Sequence, residues 1–275
     1  MMAFIADLKS AALRLATNLR GWRTRRKLLV IESDDWGAIR MPGPEAYARL
    51  RAAGIPVDRS RYDSLDGLEN RGDFHALMNV IDAHRDASGR PATFTFNTVM
   101  GNPDFEAIEA DGFRQFHHQH LFESYRQYHG EDLEPDWRQA MDTGLIRPQF
   151  HGREHLNSVI WMADLQAGHP ETHLAFRHRF YGQKILTGLS RQKNYLAAHW
   201  PDSFEHLDAV KRITDDGLLQ FRETFGYPST SFIGCNYVWP EELEPFLAEH
   251  GVKLLQTQRG HIQPDLRRGD GIRIS

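Results

Sequence analysis

Two short clusters in this 275-residue chain combine side chains that bind cations and move protons. His151-Gly152-Arg153-Glu154-His155 sets two imidazoles four positions apart. On a helical turn both would lie on one face and reach a single ion. Asp34-Asp35 are adjacent acids directly after an apolar run. Neighbouring side chains at a strand end point different ways, so one acid can ligate a cation while the other stays available as a base. Each cluster also has a plainer reading. With fifteen histidines an i, i+4 pair arises by chance, and paired acids often cap a helix or turn. Taken together, one carboxylate and two imidazoles make a three-ligand site with open positions for water and substrate. The spare carboxylate would then serve to deprotonate that water.

What must position these groups is an alternation of strands and helices. Residues 27–32 read as a buried strand ending at Ser33-Asp34-Asp35. Residues 92–98 alternate Phe and Thr, and 145–150, 230–236 and 252–256 are further strand candidates. Pro148 argues for an edge or irregular position for the third of these. Helical spacing marks 44–53, 73–84, 131–143, 157–165, 207–225 and 240–250, several of them closed by Gly54, Gly144 or Gly251. The alternation implies βαβ units and a mainly parallel sheet, open or closed into a barrel. Active sites in such folds gather where strands end, and the two clusters sit at two of those ends.

Composition narrows the function. A formal net charge of -4 gives no nucleic-acid footprint. The basic group Arg20, Arg23, Arg25, Arg26 and Lys27 is local and reads as a solvated helix end rather than a docking patch. Cys235 is the sole cysteine, so an internal disulfide and a cysteine-rich zinc cage are both excluded, and buried packing is its expected role. No stretch approaches the roughly 18 apolar residues of a membrane span. Residues 1–26 read as an amphipathic N-terminal helix without the apolar core of a signal peptide, which makes a cytoplasmic location the default. Nothing in the sequence sets an oligomeric state.

At this point the chain resembles the polysaccharide deacetylases with a NodB homology domain. Ile31-Glu32-Ser33-Asp34-Asp35-Trp36-Gly37 is similar to their T-F-D-D-G motif, and His151-Gly152-Arg153-Glu154-His155 to their H-[ST]-x-x-H motif. Ala92 through Asn97 resembles the second strand of that domain. Ser231 through Asn236, with the helix from Pro240, resembles its third-motif strand and helix. The resemblance covers roughly residues 27–258 within a catalytic domain of 27–275, with a helical insertion at about 167–204.

The resemblance implies a distorted (β/α) barrel of about seven strands. It implies a divalent ion, zinc or similar, on Asp35, His151 and His155, with Asp34 as general base. The implied reaction removes an acetyl group from an N-acetylated sugar in a polysaccharide, glycolipid or precursor, so the expected partner is a carbohydrate. Trp36, Asn97, Asn236 and Tyr237 would contact it.

The chain also departs from the pattern. Ile233 stands where the family's third motif carries an Arg that orients the base. No Leu-x-His motif, the family's source of a general acid, precedes Ser275. Either the C-terminus is truncated or the acid comes from elsewhere, with His173, His199 and His261 as candidates.

Three other readings compete. His151 to His155 fits H-x-x-E-H, an inverted zinc-protease motif with Glu154 as base, but Gly152 disfavours the helix that motif needs. Two His and one carboxylate also make the facial triad of non-haem iron oxygenases. The third reading is a non-catalytic carbohydrate- or metal-binding protein. His117, His118 and His120 are read as a polar face rather than a second metal site, and Trp161 as core. Glu154 and Asn157 could orient the metal histidines from outside the ligand shell.

Overall fold

The computed structural model describes residues 15–16, 19, 21, 23–183, 195–258, 260–267 and 271–274. The chain divides into two compact units, Met1–Val30 and Ile31–Ser275. In the first, residues 15, 16 and 19 are helical, and most of the helix expected over 1–26 lies outside the described residues.

The second unit is α/β. Five parallel strands form its main sheet: β1 (Ile31–Trp36), β2 (Phe94–Val99), β5 (Ile146–Gly152), β6 (Ser231–Ile233) and β7 (Leu254–Gln256). Their order is β1-β2-β5-β6-β7. Two antiparallel pairs lie apart from it, β3 (Gly101–Pro103) with β4 (His118–His120), and β8 (Ile262–Asp265) with β9 (Gly271–Ile274). The main sheet curls so far that side chains of its two edge strands meet. Gln256 of β7 donates to Glu32 of β1 at 2.8 Å. The result is a half-barrel of five strands rather than the seven expected, and no backbone ladder joins β1 to β7 among the described residues.

Several boundaries move from their sequence-based positions. The first strand starts at Ile31, not residue 27, because its ladder with β2 begins at Ile31↔Phe94. Pairing, not the apolarity of residues 28–30, fixes its start. Thus Asp34 and Asp35 lie inside the strand rather than after it. Of the edge or irregular position expected for Pro148, the edge is wrong, because β5 is a central strand, and the irregularity is found. The reason is local: β5 does not pair β6 until Phe150↔Phe232, and the Pro148 carbonyl accepts from the Tyr227 hydroxyl at 2.9 Å. The missing N–H therefore faces no ladder partner. The helix expected over 240–250 splits into a 3-10 turn, Glu241–Leu243, and a short helix, Glu244–Glu249. The expected insertion contains the helix Pro170–Arg177, and residues 184–194 lie outside the described set.

The core is built on Trp137, fully buried in the helix Glu134–Asp142. Rings of Trp36, Phe74, Phe96, Phe122 and Phe225 stand 5.4–6.4 Å from it. Each such pair contributes about 0.5–1.5 kcal/mol beyond its buried area. Trp36 lies flat on Phe96, 3.5 Å between centroids and 4° between planes. The residue that follows Asp35 is thereby anchored in the core.

The helix Phe204–Phe225 starts at an N-cap, where the Ser203 side chain accepts from the His206 N–H, and ends at left-handed Gly226. It crosses β5 at Gly217. A Cβ there would meet the Phe150 ring and the Arg153 Cβ at 2.9 Å. In an open helix interior, Gly→Ala gains about 0.5–1 kcal/mol. Here the added methyl would press on a fully buried ring and on a Cβ fixed to its own backbone, so overpacking decides the sign. Gly217→Ala is expected to destabilise by about 1–3 kcal/mol, measured as a lower urea midpoint. A stabilised variant would show that the helix does not press on β5.

Candidate metal centre and cleft

β2 separates the strands that carry the two polar clusters, so β1 and β5 lie about 10 Å apart at a spacing near 4.8 Å per strand. Their side chains must lean over the end of β2 to meet. Both strands solve this with a bulge. On β1, Ser33 pairs Phe96 and Trp36 pairs Thr98, so Asp34 and Asp35 together face Asn97. On β5, Phe150 pairs Thr98 and Gly152 pairs Val99, which leaves His151 as the extra residue. Bulges re-aim side chains at the end of a ladder. Asp35 takes a left-handed φ of 65°, rare for a non-glycine residue.

The outcome is that Asp35 Oδ1 lies 3.0 Å from His151 Nε2 and 3.1 Å from His155 Nε2. Both imidazoles are buried. His151 Nδ1 is 2.7 Å from the Ile233 carbonyl, which can only accept, so Nδ1 carries a proton. Nε2 therefore faces the carboxylate at 3.0 Å either with a second proton, as an imidazolium, or with a lone pair that needs a cation between it and the oxygen. The ligand atoms around one tetrahedral ion, at bond lengths of about 2.0–2.2 Å, are separated by roughly this distance. His155 Nδ1 is buried without a hydrogen-bond partner.

Electrostatics agree. Burial would raise the Asp35 carboxyl, but the His155 charge and hydrogen bonds from both histidines hold it far below the usual carboxylate range. Burial would lower the imidazoles, but Cys235 and Asp35 raise both, His155 to about 9. Cys235, expected as inert packing, stands beside both rings. It, His151 and His155 each offer a ligand atom within 4.8 Å of the others. Burial pushes its thiol up and the two imidazoles pull it well below the ordinary value. The pocket is thus arranged to hold positive charge between the imidazoles and the acidic groups. His151, His155 and Cys235 form a buried group that could hold a metal ion.

The motif 151–155 is not helical. His151 and Gly152 end β5, and a turn carries His155 back beside them. Gly152 has φ 150°, and a Cβ there would stand 3.2 Å from the Glu154 carbonyl and 3.5 Å from Cys235 Sγ. Glu154 is buried and held bidentately by Arg153, at 2.6 and 2.9 Å. A zinc-protease motif would need that carboxylate free on a helix.

A cleft of about 830 Å³ opens over this cluster, lined by both acids, both histidines, Arg40, Tyr62, Asn236 and Tyr237 among others. Asp35, Asn236 and Tyr237 are three of the five non-glycine residues with positive φ among the described residues. Such strained conformations gather at functional sites. Asp34 accepts from Asn97 at one oxygen, 2.8 Å, and from the Tyr237 hydroxyl at the other, 2.9 Å. Asn97 is therefore buried beneath the acid rather than in the cleft wall. Trp36, expected to face a sugar, turns into the core and does not line the cleft. Of the candidate acids, His173 bonds the Leu165 carbonyl, His199 lies edge-on to Phe232 and His261 leans tilted against Trp239; none lines the cleft. His117, His118 and His120 bond separately to Asp111, Gln220 and Thr224. Trp161 is core.

The chain matches no protein-family model, no curated protein and no solved structure. The site therefore stands on its geometry.

Two residues in the cleft or against the histidines carried no sequence signal that singled them out. Arg40 lies five positions beyond Asp35, and it comes back beside that carboxylate only because the chain turns after β1. Cys235 read as packing because the strand end that carries it has no sequence proximity to the histidines.

Two positions beyond His155, Asn157 caps the helix Ser158–Gln166 and donates to the carbonyls of Ala197 and Trp200. The Asn157 side-chain oxygen also accepts from His206 Nε2 at 3.2 Å, while the Asp202 N–H donates to His206 Nδ1. That pattern requires a neutral ring. Burial lowers the His206 pKa from 6.5 to about 4. The unfolded chain takes up this proton first, so the contribution is present above 6.5 and lost as pH falls toward 4. Urea unfolding should lose about 2 kcal/mol between pH 7 and 5 through this group. His206→Gln should flatten that part of the profile, and an unchanged slope would refute the assignment.

Proposed function

We propose that this chain is a metal-dependent hydrolase of the polysaccharide deacetylase type, acting on an N-acetylated sugar. The observation that carries the reading is one carboxylate oxygen, Asp35 Oδ1, within 3.1 Å of two buried imidazole nitrogens, one of which has its proton on the far side of the ring. Two imidazoliums and one divalent ion bring the same charge to this carboxylate, but only the ion is ligated by all three groups at once. The donor set, two nitrogens and one carboxylate oxygen, suits zinc, with open positions toward the cleft.

When bound, such an ion supplies Lewis acidity, favouring attack of water on an acetyl carbonyl and steadying the developing negative charge. Asp34 takes the proton of the attacking water. Its two oxygens each accept one hydrogen bond, from Asn97 and from Tyr237, and keep a second lone pair for that proton. These bonds do the orienting that the absent Arg at position 233 does in the resembling family. Asn236 and Tyr237 on one side and Arg40 and Tyr62 on the other bound a cleft wide enough for a sugar ring. The reaction completes as the acetyl C–N bond breaks: the water oxygen stays in the released acetate, and the amine leaves with the proton that Asp34 took from that water.

Metal analysis of the purified chain should find about one divalent ion per molecule, lost in His151→Ala and in Asp35→Ala. Asp34→Asn should keep the ion and lower acetate release from N-acetylglucosamine oligomers or glycolipid precursors by about 100- to 10,000-fold. An ion that survives His151→Ala, or unchanged release by Asp34→Asn, would overturn the reading.

A further inference from the structure

Asp35 has a second carboxylate oxygen, and the structure shows what holds it. Oδ2 lies 3.3 Å from Arg40 Nη2, and the other arm of the same guanidinium lies 3.3 Å from Asp66 Oδ2. Arg40 is buried to 8% side-chain exposure, a burial that a guanidinium tolerates only when paired. The path of the chain is fixed on both sides of it. Ala38 N–H donates to the Asp35 carbonyl, Ile39 N–H to Asn102 and Met41 N–H to the Asp66 carbonyl. Gly182 closes over its stem, where a Cβ would stand 3.2 Å from Arg40 Cγ.

We infer that Arg40, braced by Asp66, is a positioning residue that keeps Asp35 a one-oxygen ligand and so preserves an open coordination position. The inference rests on the metal reading above. A carboxylate beside a divalent ion binds through one oxygen or two, and a free Oδ2 can rotate onto the ion and occupy the position meant for water or substrate. A guanidinium fork fixes carboxylate geometry in a way that an ammonium point charge does not. Partners of ligating carboxylates typically change metal affinity by about 10- to 100-fold when removed.

Coordination separates positioning from simple charge. A cation near a divalent ion repels it, so charge alone predicts tighter binding with unchanged coordination when Arg40 is removed. Positioning predicts that the freed Oδ2 joins the ion. The test is the visible spectrum of the cobalt-substituted full chain, with zinc affinity by competition with a chromophoric chelator to establish that each variant still loads. Arg40→Ala should weaken the cobalt d–d bands severalfold, as expected when a fourfold site gains a ligand oxygen. Arg40→Lys should restore only part of the band intensity, because one ammonium cannot grip both carboxylates. Asp66→Asn, which leaves Arg40 in place, should give a smaller loss of intensity and serves if Arg40→Ala does not fold. An unchanged cobalt spectrum in a zinc-binding Arg40→Ala or Asp66→Asn overturns the inference while leaving the metal centre intact. A folded wild type that binds no zinc removes the metal reading itself, and this inference with it.

Discussion

His151 Nε2 and an oxygen of Asp35 face each other at 3.0 Å in a largely buried wall, and the rest of the cleft holds that approach in place. The Ile233 carbonyl pins the ring from behind, so it cannot turn away. The buried Arg40 pins the carboxylate from the other side. Such an approach in low dielectric is stable only with positive charge between the groups. The raised imidazoles and the depressed carboxyl express the same demand. Protons on the two rings meet it, and so does one divalent ion.

The backbone that creates this approach is irregular at two matching places. Parallel sheets rarely carry bulges, yet β1 and β5 each carry one, opposite the same stretch of β2. A regular register would leave Asp35 and His151 one strand-width on either side of β2, with their side chains directed by the pleat. The bulges add one residue to each strand end and free those side chains to lean inward. The cost is strain at Asp35, and it is offset by packing directly behind it. Trp36 is clamped on Phe96 and the Trp137 cluster. The core and the site are therefore not separate features: the ring after Asp35 anchors the strand that the bulge distorts.

The curl of the sheet supplies the space. Glu32 and Gln256 touch across the open side, and the cleft lies over the strand ends between them. Asp34 is held by Asn97 from below and Tyr237 from the rim, one buried and one exposed partner. Tyr237 and Asn236 reach their positions through left-handed backbone in a 3-10 turn directly after β6. None of the described helices is long and apolar enough to cross a membrane.

Much of this was legible in the sequence, because it depends on local pattern. The alternation of strands and helices, the parallel sheet, the long helix ending at Gly226, and the pairing of Asp34-Asp35 with the histidine motif all follow from periodicity, turn residues and residue type. The sequence also pointed to Asp35, His151 and His155 as one cluster, and the fold brings them within 3.1 Å. What it could not set was anything decided by register. A one-residue bulge leaves no mark on composition, so the strand start at Ile31 and the turn of Trp36 toward the core needed the ladder itself, although Gly152 already spoke against a helix at His151. Pro148 was misplaced for the same reason: whether a missing N–H matters depends on which neighbour faces it. Arg40 and Cys235 joined the site only through chain reversals and strand ends that bring distant backbone together. Side-chain chemistry is written residue by residue, but which groups share a few ångströms is fixed by long-range packing, and only the tertiary structure contains that information.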